Sequence, residues 1–276
     1  MRMNVRDIQI AYTDRGSGIP LVFLHGFPLN RDAWSKQVDA FRIAFRVIVP
    51  DLRGFGESES SRGAVSMSCF AEDLLTLLQH LKTGPIILVG HSMGGYIALA
   101  FAKAFPQMLR GLVLVGTKAA ADSPEAAEAR RGTAEKVRLE GVSVVVDPMA
   151  VKMLSSSNTD SAMASSVRAL MTSSKSEGLV SALLGMAERQ DAGAWLETIT
   201  VPTLIITGAD DMIIPPGESE VLAKAIPNAT LKVIPEAGHL VAFEQADAFN
   251  EILREWFSLP SSVTLGPSFE SSSNQQ

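Results

Sequence analysis

Only one cysteine, Cys69, occurs in 276 residues, so no internal disulfide framework can form. Four histidines, His25, His80, His91 and His239, stand apart from one another, and none has a second His or Cys at metal-ligand spacing. No metal is therefore expected. No apolar run reaches the roughly eighteen residues of a membrane span. Met1-Arg2-Met3-Asn4-Val5 also lacks the apolar core of a secretory signal, so the expectation is a cytoplasmic chain with no membrane partner. Basic residues are in deficit, with a net charge of −6 and a pI near 5.3, which argues against a nucleic-acid partner. No fixed-period repeat occurs. Gly54-Phe55-Gly56 lacks the third glycine of a dinucleotide-binding loop, and no helix opens directly after it, so no organic cofactor is expected either. A small-molecule ligand fits this composition, and a homo-oligomer is compatible with it.

What the chain does contain is apolar material, 46% of residues, arranged as short strand-like runs alternating with helical patterns. Leu21-Val22-Phe23-Leu24, Arg46 to Pro50, Pro85 to Val89, Leu112 to Val115, Thr203 to Thr207 and Thr230 to Ile234 read as strands, most of them buried on both faces. Ile8, Ile10 and Tyr12 alternate with polar residues ahead of Asp14-Arg15-Gly16-Ser17-Gly18, and predict an edge hairpin strand. Between Lys118 and Thr198 strand signals vanish. That stretch reads as several helices, opening at Asp122-Ser123-Pro124-Glu125 and carrying Met149, Met153, Met163, Met171 and Met186. Those methionines suit either core filling or an adaptable wall over a cleft. The fold class expected is α/β, a mostly parallel central sheet flanked by helices with a helical cap insertion. Residues 1–117 and 199–258 would form the core, 118–198 the cap, and the Ser-, Pro- and Gln-rich 259–276 a disordered tail.

One stretch organises the rest. In Gly90-His91-Ser92-Met93-Gly94 a buried strand runs into a helix rich in alanine, and glycines two residues either side of Ser92 permit a tight turn that exposes its hydroxyl. A serine hydroxyl needs a base, and the base needs a group to fix its tautomer. His239, on the loop Pro235-Glu236-Ala237-Gly238-His239 after the last strand, follows Ser92 in the order Ser, Asp, His. His25 lies in an early turn, His80 at a helix end, and His91 adjoins the serine but is expected to point away. Asp210 and Asp211 both follow the preceding strand; Asp211 is preferred because the nearer residue tends to stay with the turn. Oxyanion donors are expected from the amides of Met93 and Phe27, Pro28 having no N–H to give. Substrate shape is expected to be set by His25, Phe27, Trp34, Tyr96, Leu240, Phe243 and the methionines of the insertion.

His25-Gly26-Phe27-Pro28, Asp51-Leu52-Arg53-Gly54-Phe55-Gly56-Glu57-Ser58, Gly90-His91-Ser92-Met93-Gly94-Gly95, Gly208-Ala209-Asp210-Asp211 and Gly238-His239 together resemble the α/β-hydrolase superfamily, from about Val5 to Phe257. The resemblance implies an acid in Gly-x-x-Asp-x-x-x-Pro, here Asp211 with Pro215. Within that superfamily the chain is similar to bacterial carboxylesterases, cofactor-free haloperoxidase and perhydrolase-type esterases, and 3-oxoadipate enol-lactonases. Dehalogenases and epoxide hydrolases of this fold use an aspartate where this chain has Ser92. C–C bond hydrolases usually carry a longer Gly-rich loop at Phe27-Pro28. The function expected is hydrolysis of small to medium carboxylic esters through an acyl-enzyme. The alternatives are an enol-lactonase or perhydrolase with the same residues, or a ligand receptor with little turnover. A lactonase acting on a carboxylated ring would want a cation, for which Lys118, Arg130 and Arg131 are candidates.

Overall fold

The computed structural model describes residues 1–258; the expected tail, 259–276, lies outside the described residues. Eight strands form one sheet: β1 (Arg2–Val5), β2 (Ile8–Arg15), β3 (Pro20–Leu24), β4 (Arg46–Pro50), β5 (Ile86–His91), β6 (Leu109–Val115), β7 (Thr203–Gly208) and β8 (Ala229–Ile234). Their order is β1-β2-β4-β3-β5-β6-β7-β8, antiparallel for β1-β2 and β2-β4 and parallel across the rest. Ten helices accompany them among the described residues: α1 (Ser35–Phe41), α2 (Met67–His80), α3 (Met93–Ala104), α4 (Pro124–Glu140), α5 (Ser143–Ala150), α6 (Ser161–Thr172), α7 (Ser176–Ala187), α8 (Pro216–Ala225), α9 (Val241–Glu244) and α10 (Ala246–Ser258).

The continuous apolar runs are explained by two-sided burial. Successive side chains of a strand point to opposite faces. Val22, Leu24 and Leu88 accordingly join one cluster with α2 and α3, while Leu21, Phe23 and Val89 join another with α1 and α10. The parallel strands end together at the carboxyl edge, where β3, β5, β7 and β8 deliver His25, Ser92, Asp211 and His239.

Three expectations about local structure change. The segment around Ile8 to Tyr12 does not form an edge hairpin closed at Asp14–Gly18; its hairpin is with β1, through Arg6-Asp7, and β2 is an inner strand whose other neighbour is β4. Gly16, at φ +81°, instead turns the chain towards β3, and a Cβ there would lie 2.2 Å from the carbonyl oxygens of Arg42 and Phe45. Trp34 closes a 3-10 turn (Arg31–Trp34) ahead of α1 rather than riding on the helix with Val38 and Phe41. The closing helix is broken at Gln245 (φ −113°, ψ 55°) into α9 and α10.

Helices α4 to α7 lie between β6 and β7, as the loss of strand signal indicated. Ser123 caps α4 by accepting from Ala126 N–H, with Pro124 in the first turn. The four-helix insertion is fastened to the loops at the carboxyl edge through α7. A Cβ on Gly178 would lie 1.8 Å from Gly54 O, and one on Gly185 1.8 Å from Val65 O, so two bare backbones pack directly on the core. Ser174 Oγ donates to Pro28 O (2.7 Å) and Lys175 Nζ to Ser58 O (2.9 Å) alongside.

Candidate active site

Ser92 sits between the last residue of β5 and the first of α3 with φ 54° and ψ −115°, a left-handed backbone that β-substituted residues adopt only under constraint. Its flanking glycines are not themselves at positive φ; they are there for close approach. A Cβ on Gly90 would lie 2.4 Å from Gly94 O, and one on Gly94 2.5 Å from Leu24 O, so α3 can start directly against β5 and β3 only if both are bare. The turn is pinned by Ser92 N–H to Val115 O (2.9 Å) and by Thr117 Oγ–H to Ser92 O (2.9 Å). Met93 is the first helical residue, so its N–H has no acceptor within α3.

His239 is fully buried, and its Nδ1 lies 2.8 Å from Asp211 Oδ2. Asp211 is held in turn by Ile213 and Ile214, whose N–H groups each donate to Oδ1 at 2.8 Å. A carboxylate can only accept at Nδ1, so a proton is on Nδ1, and in the neutral ring Nε2 is the acceptor nitrogen. That Nε2 is buried and has no hydrogen-bond partner among the described residues. Asp210, the other aspartate of the pair, turns away and accepts from Ser155 Oγ (2.5 Å).

Two further groups fix the His239 loop, and neither was anticipated in these roles. His91 does not simply point away from the serine: its ring stacks obliquely on that of His239, with centroids 4.7 Å apart, and its Nε2 lies 2.9 Å from His239 O. Burial, reinforced by the neighbouring His239, pushes the His91 pKa down to about 3, so the ring is neutral and Nε2–H donates to that carbonyl. Gly26 is the space this needs, because a Cβ there would meet His91 Nδ1 at 2.7 Å and Ser92 Cβ at 3.1 Å. Glu244, buried on α9, accepts from Gly238 N–H (2.7 Å), from Ser155 N–H (3.0 and 3.1 Å) and from Asn158 Nδ2 (2.7 Å). One carboxylate thus ties the loop that carries His239 to the insertion.

His25 acts on the facing loop. Leu52 N–H donates to its Nε2 (3.0 Å), which leaves Nδ1–H to donate to Gly26 O (2.9 Å). Burial lowers its pKa, so it too is neutral. These bonds hold Gly26 and Phe27 opposite Ser92, and Phe27 packs edge-on against Phe55. The loop of β4 is locked from the same side, where Asp51 accepts from Arg31 N–H (2.8 Å) and Glu57 N–H (2.9 Å).

Expectations for the substrate wall are redistributed. His25 is not a wall residue, being fully buried and committed to backbone bonds. Trp34 is buried between Phe23 and Phe249, with ring centroids at 4.8 and 6.0 Å, and its ring also meets His91 edge-on at 6.4 Å. Tyr96 is buried with the Arg189 guanidinium 3.9 Å from its ring centre. Leu240 joins Leu29, Met153 and Met171 in an apolar cluster under the insertion, with Phe243 at its margin. Met153, Met171 and Met186 are core residues, and only Met149 and Met163 are partly open. Of the candidate cations, Lys118 (3.7 Å) and Arg130 share Asp122, and Arg131 pairs with Glu128 (2.9 Å) on the surface.

The serine at positive φ at a strand-to-helix turn and the buried His–Asp pair on loops after later strands all stand at the carboxyl edge of the mostly parallel sheet. The chain belongs to the α/β-hydrolase fold family, whose model matches residues 19–246. Among solved structures it is similar to a thermophilic esterase from Thermogutta terrifontis with malate bound, at 42% identity and a TM-score of 0.90, over 93% of this chain and 97% of that one. Among curated proteins it is 27% identical to 3-oxoadipate enol-lactonase 2 of Acinetobacter baylyi, over 90% of this chain and 92% of that protein. It is 30% identical to a 2-hydroxy-6-oxononadienedioate/2-hydroxy-6-oxononatrienedioate hydrolase of Burkholderia vietnamiensis, over 91% of each.

Proposed function

We propose that the chain is a serine hydrolase of small carboxylic esters working through an acyl-enzyme. The observation that carries the reading is the buried, unpartnered Nε2 of His239, whose other ring nitrogen is held by Asp211, together with a serine kept at positive φ on the same edge of the sheet. A buried polar atom without a partner costs stability, and a catalytic role is one reason for such a cost to be retained. In the proposed reaction the Ser92 hydroxyl proton passes to His239 Nε2 as Oγ bonds to the ester carbonyl carbon. The oxyanion is met by the Met93 and Phe27 amides. The C–O bond to the alcohol then breaks, and the alcohol leaves with the proton from Nε2. Water repeats the sequence on the acyl-enzyme, releasing the acid and restoring Ser92. Asp211 orients the imidazole and stabilises its protonated form. Ser92 is only 7% exposed, which favours small acyl groups over bulky ones.

Purified protein assayed on short-chain p-nitrophenyl esters tests this directly. Ser92→Ala should lose turnover and fluorophosphonate labelling together; retention of ester hydrolysis would overturn the assignment. Enol-lactones in the same panel distinguish a lactonase, in which the alcohol stays tethered to the acyl group. A single slow turnover with tight binding would identify a receptor instead.

A further inference from the structure

The amide proposed above for the oxyanion, Phe27 N–H, lies on the loop between β3 and the 3-10 turn at Arg31, and it has no acceptor among the described residues. Its direction is set by the peptide units around it. In a trans peptide unit the C=O and the next N–H share one plane and point opposite ways. Phe27 N–H therefore takes its direction from Gly26 O, which accepts from His25 Nδ1–H (2.9 Å) and from Leu29 N–H (3.0 Å). Leu29 N–H shares its own plane with Pro28 O, and Pro28 O accepts from the buried Ser174 Oγ–H (2.7 Å).

A continuous path thus runs from the insertion to the amide: Ser174 Oγ–H to Pro28 C=O, Leu29 N–H to Gly26 C=O, and so to Phe27 N–H. Donation to a carbonyl makes the N–H of the same unit a stronger donor, so bonds in series reinforce one another. The core holds this path at one end, through His25. The insertion holds it at the other. Leu29 is fully buried and packs with Val146, Met153, Val167 and Met171 of the insertion. Asn30, whose Oδ1 caps the 3-10 turn by accepting from Asp32 N–H (2.9 Å), donates from Nδ2 to Ser173 Oγ (3.0 Å). Two adjacent serines at the junction of α6 and α7 therefore meet a loop that lies 143 and 146 residues earlier in the sequence.

We propose that Ser174 is a positioning residue for the Phe27 oxyanion donor, a role that rests on the serine-hydrolase reading above. Its hydroxyl acts through two peptide units, fixing and polarising the amide that meets the developing charge. The effect belongs to the oxyanion rather than to the neutral ester, so it falls on kcat and spares KM. Release of the α6–α7 junction from Pro28 removes this support, while the bonds of the His239 loop to Asp211, His91 and Glu244 stay in place.

Ser174→Ala and Ser174→Cys are assayed on short-chain p-nitrophenyl esters and with an alkyl trifluoromethyl ketone as inhibitor. With that ketone Ser92 Oγ bonds to the carbonyl carbon, the hydroxyl proton passes to His239 Nε2, and the carbonyl oxygen becomes an oxyanion. Losing an oxyanion donor outright costs about 10²–10³ in kcat, and misplacing one should cost about tenfold in Ser174→Ala. KM should stay within about twofold, and the inhibition constant of the ketone should rise by about the same tenfold as kcat falls. Ser174→Cys, which keeps the shape with a weaker donor, should fall between, and it carries the test should the alanine variant not fold. Lys175→Ala releases the neighbouring bond to Ser58 O and loosens the insertion without touching Pro28; kcat and inhibition should stay within about twofold. Values of kcat and inhibition constant within about twofold of wild type in folded Ser174→Ala would overturn the proposal. So would a loss shared equally by Lys175→Ala, or one confined to KM. Retained hydrolysis in Ser92→Ala would instead sink the serine-hydrolase reading itself.

Discussion

Glu244 gives the sharpest test of how the base-bearing loop is held. Its carboxylate is buried, has no cation within ion-pair distance among the described residues, and accepts from Gly238, Ser155 and the Asn158 amide. In Glu244→Ala all three donors lose their acceptor. Hydrogen bonds to a charged group contribute about 1.5–3 kcal/mol each, which gives about 4.5–9 kcal/mol gross for the three. Removing a buried, unpaired carboxylate returns several kcal/mol of desolvation, and a water can enter the space to pair some donors. The net destabilisation expected is about 3 kcal/mol, a large share of the roughly 5–15 kcal/mol by which domains are stable. For a domain of this size that is about 6–12 °C in Tm. Urea unfolding measures the free energy, and hydrogen exchange at the Gly238 and Ser155 amides localises it. Because Gly238 precedes His239, kcat should fall more than KM rises. Glu244→Gln, which keeps one acceptor oxygen but turns an amide towards the donors, should fall between. Stability of Glu244→Ala within about 0.5 kcal/mol of wild type, with both amides still protected, would refute the reasoning.

Asp211→Asn should preserve the fold, because Oδ1 can still accept from Ile213 and Ile214, yet the new Nδ2–H₂ would oppose the Nδ1–H of His239 and favour the other tautomer. Loss of kcat on short-chain esters of about 10⁴-fold is expected, by analogy with the same substitution in serine proteases; a loss under tenfold would exclude the assigned role of Asp211. Stability should fall as pH drops below about 6.5, the ordinary histidine value that applies to the unfolded chain. His91, held near 3 in the fold, and His25, also lowered, stay neutral there while their unfolded counterparts take up protons. Each contributes a slope of up to about 1.4 kcal/mol per pH unit between its two pKa values, and none above the higher one. Urea midpoints across pH 4–8 read this, and His91→Gln should flatten the profile; an unchanged slope would show that His91 does not titrate as described.

Much of the fold was legible because two-sided burial leaves unbroken apolar runs, and the tight turn at Ser92 was legible because the glycines that let α3 abut β5 and β3 stand two residues either side of it. His239 followed from chain order. Asp211 was preferred over Asp210 from its place in the turn and from the resemblance that sets it four residues before Pro215, and it is the aspartate bonded to His239, while Asp210 reaches Ser155. The partner of β2 was misread because alternation identifies a strand but not its neighbour, and Gly16 redirects the chain where a hairpin turn would also use glycine. Glu244 escaped notice for a related reason. It closes the apolar Val241-Ala242-Phe243 and reads as the polar face of a helix, while two of its three donors lie 86 and 89 residues earlier. The Gly54–Gly178 contact likewise joins two glycines that look like ordinary turn and helix residues until the insertion is folded down.

The fastening of His239 has a consequence for any motion of the insertion. Its loop is held at three points: the carbonyl by His91, Nδ1 by Asp211, and the preceding amide by Glu244. Leu240 N–H, next in sequence, donates to Met153 O (2.8 Å), and Glu244 simultaneously holds Ser155 and Asn158. The linker from α5 to α6 is therefore bonded to the same short segment that carries His239. An opening that lifted this linker would break at least the Leu240, Ser155 and Asn158 bonds, whose buried donors would need water at once. Opening at α7 would instead part the Gly54–Gly178 and Val65–Gly185 contacts and leave the His239 loop intact. Substrate entry that preserves the orientation of the base is thus easier to reconcile with movement on the α7 side than with movement of the α5–α6 linker.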